Sequence, residues 1–413
     1  MTQIVIAGGG QAGFQTAMSL RQNGFDGRIL LVGDEPGLPY QRPPLSKAYL
    51  TGDMSREGLD LRPATFFTKE QIELIADCVD SVDRQARRVT LRAGGTLAYD
   101  HLVLATGARN RLLNIEGADS AGVHLLRTAA DAERLRAALA GAQRAVVIGA
   151  GFIGLEIAAG LRKRGIDVTV LEALDRVMAR AVTPELSVYF ARYHAENGTR
   201  LLFKTGAVRL TQSGGHVDGV VTSDGSVLPA DLVVIGVGVV PNVELAAAAG
   251  LPVDNGIVVD KHLLTADPHI SAIGDCAAFP SIDAGRRVRL ESVQNAVDQA
   301  RCVAARLTGR PHAYGAVPWF WSDQGTLKLQ MVGLTQGWTD TVVIGDPAAA
   351  SFSVLCFAGS RLIGIESVNR PADHMAGRRL LAGATSLTPE MARAPGFDLK
   401  AFAKQALEQT SAV

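Results

Sequence analysis

A short apolar run near the start of the chain predicts a buried strand that enters a glycine-rich turn. Residues Ile4 to Ala7 contain no polar side chain and lead into Gly8, Gly10 and Gly13. From Ala12 to Asn23 the residues favour a helix. A strand, a glycine turn and a helix in this order form the G-x-G-x-x-G pattern of a dinucleotide-binding unit.

Each glycine of this pattern has a physical purpose. The first allows the tight turn, the second lets the backbone approach a pyrophosphate, and the third lets the helix pack on the strand. The helix then points its first N–H groups at the anion. Residues Arg28 to Val32 predict the second strand, and Asp34 follows Gly13 by 21 residues. Its carboxylate is therefore a candidate ligand of a ribose.

The same pattern occurs a second time, 141 residues further along the chain. The apolar run Ala145 to Ile148 leads into Gly149, Gly151 and Gly154, which indicates an internal duplication of a nucleotide-binding unit. A helix is predicted to about Arg164, and Glu172 ends the next strand, 18 residues after Gly154.

The residues after Glu172 bear on the choice of nucleotide. Ala173 and Leu174 stand where an arginine for a 2′-phosphate is usual. A carboxylate facing that phosphate repels it by roughly 1–3 kcal/mol at a partly exposed site. We therefore expect NADH over NADPH, although Arg176 and Arg180 are close in sequence.

Several connecting segments carry candidate binding groups. Prolines exclude a central strand from 38–47, where Ser46 is expected to cap a helix that begins at Lys47. Arg42 and Lys47 are thereby placed on a stiff loop. Two further apolar runs enter small residues at Ala105 and at Gly238, and Asp275 lies on a Gly-Asp turn where it can accept a hydrogen bond from a sugar-like hydroxyl.

The composition of the chain changes at about Val317. Trp319 and Trp321 flank Phe320, and their rings suit either stacking on a flat ligand or packing in a core. Short strands to about Asn369 and a polar helical tail predict a separate α+β domain. Residues 200–235 are interpreted as a β meander.

Composition narrows the class of protein. A chain of 413 residues is expected to form two or three domains. A net charge of zero argues against nucleic acid or an anionic membrane as a partner.

No apolar run approaches 18 residues, and a strand that begins at Gln3 leaves no room for a signal peptide, so we expect a cytoplasmic protein. Cys78, Cys276, Cys302 and Cys356 are far apart in sequence and form no C-x-x-C or C-x₄-C motif, so neither a redox-active disulfide nor a metal cluster is indicated.

With these motifs in place, the sequence resembles the NADH-dependent ferredoxin reductases of bacterial oxygenase systems, the group that contains putidaredoxin reductase and rhodocoxin reductase. The resemblance covers nearly the whole chain. The stretches that carry it are 38–47, 104–107, 125–128, 149–156, 274–277, 291–295, 319–323 and 368–371.

This resemblance implies an α/β fold with two Rossmann-like domains, the second inserted in the first, and a C-terminal α+β domain. The implied FAD-binding domain covers 1–110 and 242–316, the NADH-binding domain 111–241, and the C-terminal domain 317–413.

The resemblance also implies roles for individual residues. Lys47 would lie near flavin N5 and pair with Glu156, and Trp321 would lie beside the isoalloxazine where the electron partner docks; these three are the candidate catalytic residues. Arg127 would lie by the pyrophosphate, and Asp275 would bind a ribityl hydroxyl. The candidate FAD-binding residues are Gly8, Gly10, Ala12, Gly13, Asp34, Arg42, Lys47, Val79, Ala105, Arg127, Asp275, Val293 and Trp321. The candidate NADH-binding residues are Gly149, Gly151, Ile153, Gly154, Glu172, Arg180 and Gly238.

The implied activity is electron transfer from NADH through FAD to a [2Fe–2S] ferredoxin that supplies a cytochrome P-450 monooxygenase, by a monomer or weak dimer. One alternative is the reductase of an aromatic-ring dioxygenase, or a rubredoxin reductase. Another is a redox signalling protein like apoptosis-inducing factor, in which NADH binding drives association. Arginine clusters at 286–289 and 378–379 are either docking sites for an acidic ferredoxin or ordinary solvated surface.

Overall fold

A computed structural model of the chain describes residues 2–383 and 386–410. These residues form two compact units, each assembled from three segments of the chain. Unit 1 comprises residues 2–41, 56–109 and 240–318. Unit 2 comprises residues 42–55 and 110–239 and the described residues of 319–410. Helices and strands are numbered in chain order.

Unit 1 is built on a parallel five-stranded sheet with β1 (Gln3–Ala7) at its centre. Strands β2 (Arg28–Gly33) and β3 (Ile72–Ala76) follow on one side. Strands β7 (His101–Leu104) and β19 (Ile270–Ala272) lie on the other side. The apolar run at Ile4 is thus confirmed as a strand buried on both faces, as parallel sheets require. Because the chain changes side between β1 and β7, their carboxyl ends border a topological switch point, where such sheets bind ligands.

Helix α1 (Gln11–Gln22) follows β1 and packs on helix α8 (Val293–Leu307). The Ser292 hydroxyl caps α8 by accepting the Asn295 N–H. The other elements of unit 1 are α3 (Ala64–Lys69), α7 (Glu244–Ala248), the antiparallel strands β4 (Val79–Asp83), β5 (Arg88–Leu91) and β6 (Thr96–Ala98), and a small sheet of β18 (Ile257–Val258), β20 (Ala277–Ser281) and β21 (Arg286–Val288).

Unit 2 contains a second parallel five-stranded sheet, with β10 (Arg144–Ile148) at its centre. Strands β11 (Asp167–Glu172) and β12 (Arg200–Phe203) follow on one side. Strands β16 (Leu232–Ile235) and β9 (Val123–His124) lie on the other. The predicted duplication is confirmed, because β10, β11, β12 and β16 are arranged like β1, β2, β3 and β7. The fifth strand differs, since β9 precedes β10 in the chain whereas β19 follows β7. The first helix after the glycine turn, α5 (Phe152–Lys163), ends where Gly165 adopts a positive φ of 80°.

The predicted meander over 200–235 is only partly right. Three antiparallel strands form it: β13 (Ala207–Ser213), β14 (His216–Thr222) and β15 (Val227–Pro229). Strands β12 and β16 join the parallel sheet instead. All four residues of β16 are buried, whereas a meander strand would bury alternate residues only. Helices α4 (Ala129–Ala138) and α6 (Pro184–Glu196) complete this part of unit 2.

The C-terminal part of unit 2 is an antiparallel five-stranded sheet followed by helices, as predicted. In sheet order the strands are β22 (Trp319–Gln324), β23 (Leu327–Gly333), β26 (Arg361–Val368), β25 (Ser351–Ala358) and β24 (Asp340–Asp346). The helices are α9 (Pro371–Ala382), α10 (Pro389–Ala392) and α11 (Leu399–Thr410). Strands β8 (Ala108–Asn110) and β17 (Val239–Pro241) lie where the chain passes from one unit to the other. The three-domain division stays a prediction.

The proline-rich segment forms a single turn of 3₁₀ helix, Pro43–Ser46, followed by the short helix α2 (Ala48–Thr51). Lys47 precedes α2, and the Ser46 side chain makes no capping bond, so that prediction is wrong. Within residues 2–383 and 386–410, none of the helices is long and apolar enough to cross a membrane.

Candidate functional site

The first glycine turn packs tightly against the end of a neighbouring strand. A Cβ built on Gly8, whose φ is +123°, would lie 2.2 Å from the Ala105 carbonyl oxygen, and one built on Gly13 would lie 1.9 Å from the Gly8 oxygen. Both positions therefore exclude any larger residue. A Cβ on Gly10 would meet nothing within 4 Å, so the turn is open where α1 begins. An opening bounded by backbone N–H groups at a helix start fits a pyrophosphate.

A second wall of this opening comes from the 3₁₀ turn Gly274–Cys276 after β19. A Cβ on Gly274 would lie 3.1 Å from the Cβ of Ala12, which shows how closely the two turns approach. The Gly274 N–H donates to the buried Gln299 Oε1 at 2.7 Å, and Arg289 donates to the Asp275 carbonyl oxygen at 3.1 Å. Asp275 is thus fixed beside the start of α1, close to Ala12.

Asp34 and Val79 lie together at another edge of unit 1. Asp34 is exposed just beyond β2, and Val79 is buried at the start of β4. Burial raises the pKa of the Cys78 thiol, and the nearby carboxylates of Asp34 and Asp77 add to this rise. The two candidates therefore share one neighbourhood, as an adenosine site at the end of β2 would require.

The second glycine turn reproduces the first. A Cβ on Gly149 (φ +108°) would lie 2.4 Å from the Gly236 oxygen, and one on Gly154 would lie 2.1 Å from the Gly149 oxygen. Gly151 again opens to space free of protein atoms within 4 Å. Gly238 follows β16 with a φ of +99°, and its carbonyl oxygen accepts the Arg111 N–H. This half of the duplication likewise fits a dinucleotide pyrophosphate.

The acidic residue is placed differently in the two halves. In unit 1 the register pairs Ala7 with Val32, and in unit 2 it pairs Ile148 with Leu171. Glu172 therefore corresponds to Gly33, and Asp34 comes one residue later. Glu172 accepts the Ala150 N–H at 2.9 Å and the Leu174 N–H at 2.9 Å. These bonds hold the Glu172 carboxylate against the second glycine turn. The sequence alone did not reveal this contact.

The two arginines near Glu172 have different surroundings. Arg176 donates to the carbonyl oxygens of Val182 and Ala179 at 2.9 and 2.7 Å, which ties its guanidinium to its own loop. Arg180 is exposed and, among the described residues, its guanidinium has no hydrogen-bond or ion-pair partner. Ile153 at the start of α5 is 45% exposed, a large apolar side chain facing outward beside the turn.

The candidate catalytic pair is present in unit 2. Lys47 Nζ lies 2.7 Å from Glu156 Oε2, and Glu156, on α5, is only 3% exposed. Two serines also donate to this carboxylate, Ser46 at 2.5 Å and Ser322 at 2.6 Å. A buried carboxylate needs such a set of donors to remain charged. This explains why Ser46 does not cap α2. The sequence analysis missed both serines as site residues, although each adjoins a motif residue.

Arg42, Arg127 and Trp321 also belong to unit 2. Arg42 Nη1 donates to the Arg127 carbonyl oxygen at 2.8 Å, and the Arg127 N–H donates to Asp131 at 3.0 Å. Trp321 lies 5.6 Å from the ring of Trp319, which in turn lies 5.0 Å under the Arg378 guanidinium. The first arginine cluster is less suited to docking: Arg289 pairs with Glu291 at 2.6 Å and is largely buried, and Arg287 donates to Val259 O.

The structure thus brings the candidates together in two groups. Within unit 1, Gly8, Gly10, Ala12, Gly13, Ala105 and Asp275 meet at the carboxyl end of β1, with Asp34 and Val79 at the end of β2. Val293 is the first residue of α8. Within unit 2, the glycine turn with Glu172 forms one group and Lys47 with Glu156 another.

Comparison with known proteins agrees with this geometry. The family model described as pyridine nucleotide-disulphide oxidoreductase matches residues 2–300, and the model described as reductase C-terminal matches residues 319–403. Rhodocoxin reductase of Rhodococcus erythropolis is 58% identical over 398 residues, covering 96% of this chain and 93% of that protein.

Two solved structures are also similar over almost the whole chain. The ferredoxin reductase for the CYP199A2 system of Rhodopseudomonas palustris has a TM-score of 0.96 at 55% identity, covering 98% of this chain and 100% of that one. The covalent complex of putidaredoxin reductase with putidaredoxin gives 0.95 at 40% identity, covering 98% and 99%. The chain therefore belongs to the pyridine nucleotide-disulphide oxidoreductase family.

Proposed function

We propose that this protein is an FAD-containing reductase that passes electrons from NADH to a [2Fe–2S] ferredoxin, which supplies a cytochrome P-450 monooxygenase. The observation that carries the proposal is the pair of glycine turns, each open at a topological switch point of its own sheet. One chain with two such turns suits one resident dinucleotide and one that exchanges. The similar reductase of the CYP199A2 system supports the P-450 branch.

When bound, FAD would supply the redox chemistry, namely hydride acceptance and the release of single electrons. The chain's own residues bind and orient. In unit 1, the N–H groups at the start of α1 would hold the pyrophosphate, and Asp275 would accept a hydroxyl of the ribityl chain. In unit 2, the N–H groups at the start of α5 would hold the NADH pyrophosphate, and Glu172 would accept from its ribose.

Lys47 supplies fixed positive charge in this scheme. We propose that its ammonium favours the negative charge of the reduced flavin, and that Glu156 orients it through the 2.7 Å contact. Neither residue needs to transfer a proton, so positioning provides most of the catalysis. Trp321 would lie where the electron acceptor docks.

The cysteines set this protein apart from disulphide-reducing members of the family. All four are free, three of them are buried, and Cys78 is half-buried. Burial raises the pKa of every one of these thiols, that of Cys302 to about 11. A nucleophilic thiolate requires the opposite shift. The acceptor is therefore expected to be a one-electron protein rather than a disulphide.

Anaerobic spectroscopy tests the proposal. The purified protein should be yellow, should bleach on addition of NADH, and should then reduce a [2Fe–2S] ferredoxin. A colourless protein that cannot be reconstituted with FAD, or a yellow protein that NADH fails to bleach, would contradict it. We place the reaction in the cytoplasm, where NADH is available.

The choice of branch needs a second measurement. Steady-state turnover should be compared with ferredoxins from P-450 systems, ferredoxins from ring-dioxygenase systems, and rubredoxins. A P-450 ferredoxin is expected to give the highest kcat/KM. A preference for a dioxygenase ferredoxin or a rubredoxin would move the protein to the alternative branch without altering the flavin chemistry.

A further inference from the structure

A chain of buried hydrogen bonds leads from helix α6 to the Lys47–Glu156 pair, entirely within unit 2. His194 Nε2 lies 2.8 Å from Gln324 Oε1, and Gln324 Nε2 lies 3.2 Å from Ser322 Oγ. Ser322 Oγ in turn lies 2.6 Å from Glu156 Oε1. His194 is 1% exposed, Gln324 and Ser322 are fully buried, and the residues come from three distant parts of the sequence.

The direction of these bonds follows from the carboxylate at the end. Glu156 faces the Lys47 ammonium and, as an anion, only accepts. The single Ser322 hydroxyl hydrogen therefore points to Glu156, and the oxygen accepts from the amide N–H₂ of Gln324. The Gln324 oxygen then faces His194, so the ring must carry its hydrogen on Nε2.

The charge state of His194 agrees with this assignment. Burial lowers the pKa of His194, although its bond to Gln324 opposes the shift. The ring is therefore neutral at physiological pH and can donate from one nitrogen only. Because an amide does not pass protons along, the chain is not a proton path. Its effect is to orient and stabilise the final acceptor, since charge-assisted bonds are the strong ones.

We propose that Ser322, Gln324 and His194 are positioning residues that hold Glu156 in one orientation and, through it, fix the Lys47 ammonium. For its effect on the flavin this inference rests on the proposed function. Of these three residues only Ser322 donates directly to Glu156, so the influence on Glu156 should decrease from Ser322 to Gln324 to His194.

The first test determines the direction of the hydrogen bonds from the tautomer of His194, and it requires no enzymatic activity. The ¹⁵N spectrum of the FAD-loaded protein should show His194 as the neutral Nε2–H tautomer from pH 7.5 to pH 9, with its signal assigned by loss in His194→Asn. A ring protonated on Nδ1, or one that titrates in this range, would overturn the proposal. This result does not depend on whether NADH or a ferredoxin is the true partner.

The second test measures the reduction potential of the bound FAD. Ser322→Ala is expected to weaken the preference for reduced flavin about tenfold, equal to a potential about 30 mV more negative for a two-electron couple. Gln324→Met should give a smaller shift in the same direction. Ser353→Ala is the matched control, because Ser353, on β25 of the same C-terminal sheet, is also a buried serine that donates to a carboxylate, that of Asp373 on α9. Its potential should equal that of the wild type.

A Lys47→Met background separates positioning from other effects. If Ser322 acts on the flavin only through the Lys47 ammonium, then Ser322→Ala should no longer shift the FAD reduction potential when Lys47 is replaced. An unchanged potential in Ser322→Ala alone, or a shift that persists without Lys47, would overturn the proposal. If Ser322→Ala does not fold, Gln324→Met decides in the same way. A wild-type protein that NADH fails to bleach would contradict the proposed function instead.

Discussion

At the scale of single residues, the buried carboxylate of Glu156 joins three segments of unit 2. Three donors converge on it, from Ser46, Lys47 and Ser322. The resemblance predicted the Lys47 contact, which the structure confirms. It could not predict the serines, because a serine that caps a helix and one that reaches a distant carboxylate have the same local sequence pattern.

Removing the ammonium should therefore affect both stability and catalysis. Lys47→Met leaves Glu156 buried without its countercharge, which is expected to cost about 2–4 kcal/mol of unfolding free energy. Flavin reduction by NADH should slow by about tenfold or more, measured by anaerobic stopped flow. The control is Lys163→Met, because Lys163 pairs with Asp53 at 3.0 Å on an exposed surface. That solvent-exposed pair should contribute little to stability. Unchanged flavin reduction in Lys47→Met would remove the lysine from the mechanism.

We expect the preference between NADH and NADPH to depend on one side chain, that of Glu172. Glu172 is held by two backbone N–H groups, and Arg176 is tied to its own loop. We therefore expect kcat/KM for NADH to exceed that for NADPH by about 5- to 150-fold, from a repulsion of ~1–3 kcal/mol. Glu172→Gln should reduce this ratio. Asp175→Asn, an exposed acid of the same loop, is the control. Equal values for the two nucleotides in the wild type would contradict the expectation.

At the scale of elements, the start of α6 is held by a carboxylate of the C-terminal sheet. Glu366 on β26 is fully buried and accepts from the Thr183 N–H and from the Thr183 hydroxyl, the latter at 2.7 Å. Burial raises the pKa of Glu366 to about 7, although the bonds from Thr183 work against the rise. Between the pKa values of the unfolded and folded states, Glu366 is therefore protonated in the folded protein and ionised in the unfolded chain.

This difference makes stability depend on pH. Since the folded state binds more protons between pH ~4.5 and ~7, the free energy of unfolding should fall as pH rises through that window, by up to about 3 kcal/mol. Glu366→Gln cannot ionise and should lose this slope. Urea unfolding at pH 5 and pH 7.5 measures it, with Glu196→Gln at the exposed far end of α6 as control. The same slope in Glu366→Gln and wild type would assign the effect elsewhere.

The elements that sequence predicted well are those fixed by local patterns. Strands β1 and β10 and the helices after them follow from an apolar run that enters glycines, because only glycine tolerates the backbone approach at Gly13 and Gly154. The bond between His194 and Gln324 joins residues 130 positions apart. No periodicity or motif encodes such a pairing, so it became visible only in the fold.

At the scale of the whole molecule, the two glycine turns should serve separate half-reactions. Gly13→Ala places a Cβ 1.9 Å from the Gly8 oxygen, and the protein should lose FAD and its colour. Gly154→Ala creates the same clash, 2.1 Å from the Gly149 oxygen, in unit 2 only. That variant should stay yellow and be bleached by dithionite, but NADH should reduce it far more slowly.

Visible spectra and stopped-flow reduction check this pair of variants. Gly141→Ala is the control, because a Cβ there meets nothing within 4 Å. If Gly154→Ala loses its flavin, or if NADH reduces its flavin at the wild-type rate, the two turns do not bind the two nucleotides separately.

The alternation of the two units along the sequence also affects how the protein folds during translation. Each unit takes three alternating segments, and the last strand of the first sheet, β19, lies at Ile270–Ala272. A nascent polypeptide that has left the ribosome as far as residue 241 therefore contains all the parts of neither unit. Since domains normally fold in order of synthesis, this protein must keep an unfinished sheet from aggregating until translation is well past its midpoint.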